Sequence, residues 1–371
     1  MPTQQAGLAS REGTERFRQR CAAEAAHFRP LQEWWASSIG LGTYLGDADE
    51  ATDRRYGEAV HAALACGCNV FDTAINYRCQ RSERVLGRAL AEAISRRDTS
   101  RDEILLCTKG GYLPFDGAVP RDPARYVTET VLEPGLASYE EIVAGCHCLA
   151  PAYLDHALRT SLSNLQVAAV DVYYLHNPEE QLAAVDRSTF LRRMQAAFEL
   201  LEQRAADGWL GCYGIATWNG LRTNPTARGY LSLAELAAIA EAVGGRTHRF
   251  RAVQLPYNLA MPEAFTFANQ TVGGRQLTPL DAAQQLGCSV VASASLLQGR
   301  LTRLPAKLEA AIPNVGTSAQ RALQFVRSTP GVTTALAGMQ RRQHVEENLQ
   351  LARQPLLPLE RLRSLFDRSS R

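Results

Sequence analysis

From residue 38 onward the chain alternates short β-branched or apolar runs with longer helical patterns, and it does so eight times. Few folds accept that many consecutive strand-then-helix units, because neighbouring parallel strands need a crossover connection and a helix is the usual one. The strand candidates are Ile39–Thr43, Asn69–Thr73, Ile104–Lys109, Val170–His176, Cys212–Thr217, Ala252–Tyr257, Ser289–Ser293 and Thr333–Gly338. Most are near-continuously apolar, as strands covered on both faces must be. The helical patterns run over Ala51–Cys66, Ser82–Ile94, Ala150–Leu165, Thr189–Asp207, Ser232–Val243, Pro279–Leu286, Ala319–Thr329 and Arg341–Ala352. Eight such units predict an α/β fold, a closed (β/α)8 TIM barrel in one domain. Gly40-x-Gly42-x-x-x-Gly46 lacks the spacing of a dinucleotide-binding fingerprint, and that fold would leave seven downstream units unexplained.

The barrel is expected over 38–353. Residues 1–37, rich in Arg, Glu and Ala and ending at Trp34-Trp35, read as a helical or loosely ordered lead-in docked on the barrel floor, and 354–371 as a C-terminal tail. Three loops exceed the short connections usual in this architecture: Tyr112 to about Leu149, Met261–Leu277 and Arg300–Gly316. The first follows the Lys109 strand and is expected to act as a substrate lid over the active rim.

Composition removes several classes of partner. With 40 basic against 38 acidic residues the net charge is only +2, and no basic block suits nucleic acid. No stretch approaches the roughly 18 apolar residues of a membrane span, and the N-terminus lacks signal-peptide order, so a cytoplasmic protein acting on a small molecule is expected. Nine cysteines in apolar or helical contexts read as reduced thiols, and Cys146-His147-Cys148 is too tight for a zinc knuckle, so no metal is expected.

In such a barrel the reactive groups come from the C-terminal ends of the strands. Asp72 and, just past it, Tyr77, then Lys109, His176, Thr217, Gln254 and Ser293 all fall there, while strand interiors are apolar. Only two of the basic residues are lysines, and Lys109 closes a buried-strand pattern. An ammonium is a compact charge whose pKa responds to burial, which Arg cannot imitate in proton chemistry. Beside a phenol it stabilises the phenolate and is expected to lower the Tyr77 pKa; Asp72 would keep it charged, and His176 would hydrogen-bond the same substrate oxygen or relay the proton. The chemistry implied is protonation of an alkoxide.

Asn69-Val-Phe-Asp-Thr-Ala-x-x-Tyr77, the following Ser82-Glu83-x-x-Leu86-Gly87-x-Ala89-Leu90 and Asp171-Val-Tyr-Tyr-Leu-His176-Asn-Pro strongly resemble the aldo-keto reductase family over roughly Ile39 to Asn348. The resemblance implies a (β/α)8 barrel that binds NADPH, or NADH, across its mouth and reduces an aldehyde or ketone, or oxidises the alcohol. By position it implies Tyr77 as general acid, Lys109 and Asp72 as the pair that tunes it, and His176 as the residue that orients the carbonyl.

Cofactor positions implied in the same way are Gly42, Thr43, Thr217, Gln254, Ser293, Leu296, Gln298, Gly338, Gln340, Arg341, Glu347 and Asn348, with Tyr44 and Trp218 facing the substrate. The family's Gly-Val-Ser-Asn segment is Gly214-Ile215-Ala216-Thr217 here, and Ser293 stands where an aromatic usually stacks on the nicotinamide. His344 and Gly338 occupy the usual basic positions for the 2′-phosphate, which leaves that group to Arg341 or Arg342. Two alternatives stay open: a nicotinamide-binding regulatory or scaffold subunit, and a barrel turned to isomerisation or dehydration. Substrate identity and oligomeric state are not legible.

Overall fold

The computed structural model describes residues 7–366. Its core is a closed barrel of β1 (Ile39–Gly42), β2 (Val70–Asp72), β3 (Leu105–Gly110), β4 (Val170–His176), β5 (Leu210–Ala216), β6 (Phe250–Pro256), β7 (Ser289–Ser293) and β8 (Val332–Gly338). Every pairing is parallel and follows chain order, and the barrel closes where Ala335 lies opposite Ile39 and Gly338 opposite Gly42. These are the eight expected strands, shifted by a few residues at their ends. Around them lie α1 (Glu50–Ala65), α2 (Arg81–Ser95), α3 (Pro151–Leu165), α4 (Arg187–Ala206), α5 (Leu233–Gly244), α6 (Pro279–Gln285), α7 (Ser318–Ser328) and α8 (Arg342–Leu349). Local chemistry starts several of them: the side chains of Asp49, Ser232 and Thr317 each accept a hydrogen bond from the backbone N–H three residues on, satisfying a donor the helix leaves free.

Strand alternation divides the core in two. One set of side chains, including Leu105, Cys107, Val172, Tyr174, Cys212 and Leu336, fills the barrel, and the other, including Phe71, Leu106, Tyr173, Tyr213 and Phe250, packs under the helices. Each fully buried large apolar side chain stabilises the fold by about 1.5–3 kcal/mol.

The lead-in is more ordered than expected. Helix Arg11–Arg20 is followed by an antiparallel hairpin, Phe28–Leu31 with Trp34–Ser37, which closes the barrel floor. Trp34 is buried, its indole N–H donates to the Ala9 carbonyl at 2.9 Å, and a Cβ at Gly211 would meet its ring at 2.7 Å. The period-2 signal of two four-residue strands is too short to stand out in sequence. The tail also docks as far as it is described: Leu362 is buried and Phe366 packs on Phe325. Residues 1–6 of the lead-in and 367–371 of the tail lie outside the described residues.

The 112–149 loop flanks the rim and does not cover it. Its body is tied outward by Arg84 to Asp116 (2.7 Å), by Gln80 to the Phe115 carbonyl (3.2 Å) and by Arg193 to the Glu140 carbonyl (2.8 Å). The two ends of the loop are stapled together, with Leu113 N–H donating to Cys146 O and Cys148 N–H to Gly111 O, both at 2.7 Å. The 261–277 loop folds into a helical turn and a small hairpin. Among the described residues no helix is long and apolar enough to cross a membrane.

Candidate active site

At the C-terminal ends of the strands lies a cavity of about 1200 Å³. The residues singled out from the sequence line it, from Gly42, Thr43 and Tyr44 through Asp72, Tyr77, His176, Thr217, Trp218, Gln254, Ser293, Leu296 and Gln298 to Gly338, Gln340, Arg341, Glu347 and Asn348, with two exceptions, Lys109 and Arg342. Lys109 lies behind the wall, 0% exposed.

Lys109 reaches from β3 to donate to Asp72 Oδ1 at 2.5 Å and to the Thr73 carbonyl at 2.8 Å. Its Nζ is 4.9 Å from the centroid of the Tyr77 ring, and that ring meets the His176 imidazole edge to face at 5.7 Å. Tyr77 is presented by the turn after β2, where Thr73 and Ile75 donate to the carbonyls of Cys107 and Lys109 on β3. Arg78, Cys79 and Gln80 then take φ of 50°, 54° and 68°, a left-handed run that costs roughly 1–2 kcal/mol per residue. The buried Arg78 guanidinium holds that run, donating to the Asp47 carbonyl at 2.7 Å and to Asp53 Oδ1 at 2.5 Å.

Burial works against the Lys109 charge, but Asp72 and Tyr77 outweigh it and the ammonium pKa is raised. For Tyr77 the balance goes the other way. Burial pushes the phenol up and Lys109 pulls it back only in part, so the net shift is upward, against the lowering expected from the charge pair alone. Burial, then Lys109 and His147, hold His176 well below the ordinary imidazole value. His176 is therefore neutral at physiological pH, and its Nδ1 is buried with no partner among the described residues.

The far half of the cavity suits an extended dinucleotide. Asn348 is 3% exposed, lines the cavity, and its Oδ1 has no partner among the described residues. Gln254 commits its amide N–H to Asp72 Oδ2 at 2.8 Å, which leaves its oxygen for an amide donor. Thr217 is less free: its hydroxyl donates to Glu179 Oε1 at 2.5 Å and accepts from Gly220 N–H at 2.9 Å. The same Glu179 oxygen also accepts from the N–H groups of Trp218 and Asn219, both at 2.9 Å, so a buried carboxylate shapes the loop after β5. Ser293 sits at the seventh strand end and lines the cavity, whereas Tyr257, whose N–H donates to the Ser293 carbonyl at 3.1 Å, does not line it and stacks on Phe325.

Several lining residues escaped sequence reasoning. Arg55 of α1 lines the cavity, donating to Gln340 Oε1 at 2.9 Å and to Thr52 Oγ1 at 2.8 Å, and stands with Arg341 and His344 at the end near Asn348. Within a helix rich in charge, nothing local marks it. Arg342, the alternative phosphate ligand, is turned outward to Glu346 at 2.6 Å and does not line the cavity. Tyr112, Asn76 and Asn177 join near Tyr77, and Tyr112 is the single residue of 112–149 in the lining, so the lid expectation does not hold. The 261–277 loop contributes no lining residue. Among the described residues no cluster of three or more His, Cys, Asp or Glu could hold a metal.

A family model described as the aldo/keto reductase family matches residues 38–362. No curated protein gives a significant sequence match. Among solved structures, a Klebsiella pneumoniae aldo/keto reductase in complex with NADP and acetate is 22% identical, covers 90% of this chain and 92% of its own, and superposes with a TM-score of 0.59. A Bacillus halodurans aldo-keto reductase in its holo form is 21% identical, with 91% and 95% covered and a TM-score of 0.62. The glycerol dehydrogenase of Gluconobacter oxydans is 18% identical, with 92% and 94% covered and a TM-score of 0.65.

Proposed function

The chain belongs to the aldo/keto reductase family, and on that premise we propose that it is an NADPH-dependent oxidoreductase that reduces an aldehyde or ketone, or oxidises the corresponding alcohol. The observation that carries this reading is the buried Lys109–Asp72 pair behind Tyr77, with His176 across the same cavity.

Bound NADPH would supply a hydride to the carbonyl carbon. As negative charge develops on the carbonyl oxygen, Tyr77 gives that oxygen its phenolic proton. The phenolate left behind faces the Lys109 ammonium, which burial would otherwise discharge and which Asp72 keeps charged. Neutral His176 donates no proton at pH 7; it holds the carbonyl oxygen in the direction of Tyr77. Gln254 orients the nicotinamide carboxamide through its free oxygen, Thr217 contributes one remaining lone pair, and Asn348 and Glu347 hold the adenine. Ser293, Leu296, Gln298, Gly42, Thr43, Gly338 and Gln340 line the path between. Tyr44 and Trp218, 55% and 38% exposed, face the incoming substrate together with Tyr112.

The Klebsiella pneumoniae relative in complex with NADP supports the choice of cofactor. The test is a titration with NADPH and NADH followed by energy transfer from tryptophan, then loss of absorbance with a panel of aldehydes and ketones. Micromolar binding with turnover is expected; absence of binding to both nucleotides would overturn the reading in favour of non-redox chemistry.

A further inference from the structure

We propose that His147, carried by the 112–149 insertion, is a positioning residue for His176, and that this insertion serves as a clamp on the catalytic strand end. The inference rests on the carbonyl-reductase reading for its kinetic consequence. Its structural content stands without it.

His147 is fully buried at the returning end of the insertion, where it bridges to Tyr112 at the outgoing end. Its two ring nitrogens have separate partners: Nε2 lies 2.7 Å from the His176 carbonyl oxygen and Nδ1 lies 2.8 Å from Gln181 Nε2. A carbonyl can only accept, so Nε2 carries the hydrogen. Gln181 confirms the assignment, because its oxygen already accepts from the Arg193 guanidinium and its amide nitrogen must therefore donate to Nδ1. The chain of donors runs Arg193 to Gln181 to His147 to His176 O, and it fixes one neutral tautomer.

The close approach depends on Gly111. At φ +140°, a Cβ there would lie 2.9 Å from the His176 carbonyl oxygen and 3.1 Å from His147 Nε2. On the other side of the same peptide, Asn177 N–H donates to Ala216 O at 2.6 Å, and Asn177 turns left-handed at φ 46°. The carbonyl of His176 and the N–H of Asn177 are thus both pinned as β4 ends, which sets where the His176 side chain enters the cavity. Tyr112 completes the clamp, its ring meeting the imidazoles of His147 and His176 edge to face at 5.0 Å each. A one-ångström displacement of an orienting group is enough to cost a large factor in rate.

The test compares His147→Phe, which keeps ring volume against Tyr112 but has no N–H, with His147→Gln, whose amide can still reach the His176 carbonyl. In the wild type, nitrogen-15 NMR of the histidine rings is expected to show His147 as the neutral Nε2–H tautomer with a slowly exchanging proton. His147→Phe should bind NADPH within about twofold of wild type while kcat for carbonyl reduction falls about tenfold, the worth of one buried hydrogen bond, and His147→Gln should recover most of kcat. Wild-type kcat in His147→Phe, an equal loss of kcat in both variants, or the opposite tautomer would overturn the clamp. If the wild-type protein reduces no carbonyl, the functional reading fails, and the tautomer still decides the clamp.

Discussion

Lys109 Nζ stands 2.5 Å from Asp72 Oδ1, the lysine 0% and the aspartate 4% exposed, and Gln254 donates to the second oxygen of the same carboxylate. A charge pair so withdrawn from water is held by its own members, because removing either leaves the other without compensation.

Asp72→Asn is therefore expected to destabilise the fold by about 3–5 kcal/mol, since it strands a buried ammonium. Asp72→Asn combined with Lys109→Met should cost less than the sum of the single changes. Urea midpoints of the three variants decide it, and strict additivity would show that the two groups do not depend on each other.

Tyr77→Phe removes only the proton donor. Carbonyl reduction should drop by about 10²–10⁴-fold with NADPH affinity nearly unchanged. Steady-state reduction retained at the wild-type rate would remove Tyr77 from the proposed role.

The pH dependence of reduction follows from the directions at the two rings. His176 is neutral because burial and Lys109 depress its pKa, so kcat/KM should show no break near the ordinary imidazole value of about 6.5. Tyr77 is protonated until its raised pKa is passed, so the alkaline limb should lie above the ordinary phenol value of about 10. A single ionisation near neutrality in the rate profile would contradict both statements.

Cofactor preference is expected to depend on Arg55 and Arg341. Each change to Ala should lower the NADPH to NADH affinity ratio by about tenfold, the loss of one charge-assisted hydrogen bond, whereas Arg342→Ala should leave it unchanged because that side chain pairs with Glu346. Nucleotide titrations of the three variants separate these outcomes.

Stability should fall on the acid side. His27 and His147 are both held near pKa 4 by burial, below the ordinary imidazole value of about 6.5, so the unfolded chain binds more protons between those limits. Stability is complete above about pH 6.5 and is lost as pH falls toward 4, by roughly 3 kcal/mol for each histidine. Urea midpoints at pH 7.5 and 4.5 measure the slope, which should shrink in His27→Gln; an unchanged slope would acquit that ring.

Eight strand-helix alternations are a local property, written in the apolar runs and helical periodicities that each segment carries for itself. They were enough for the barrel, and barrel closure then brings every strand end to one rim. For that reason Tyr77, Lys109, Asp72 and His176 could be read as one site although they span a hundred residues. Direction and partnership were not legible. The Tyr77 pKa depends on how far burial outweighs one ammonium, which no spacing reveals. Arg55 reaches the cavity from α1 beside Gln340, and Arg342 misses it because α8 starts there and pairs it with Glu346, whereas Arg341 is the extended residue before the helix. The 112–149 loop had the composition of a lid, yet its ends pair with each other and its ion pair and hydrogen bonds run outward, so it holds His176 from the side. Those outcomes are fixed by contacts between residues far apart in the chain, where burial, hydrogen-bond saturation and packing are decided together.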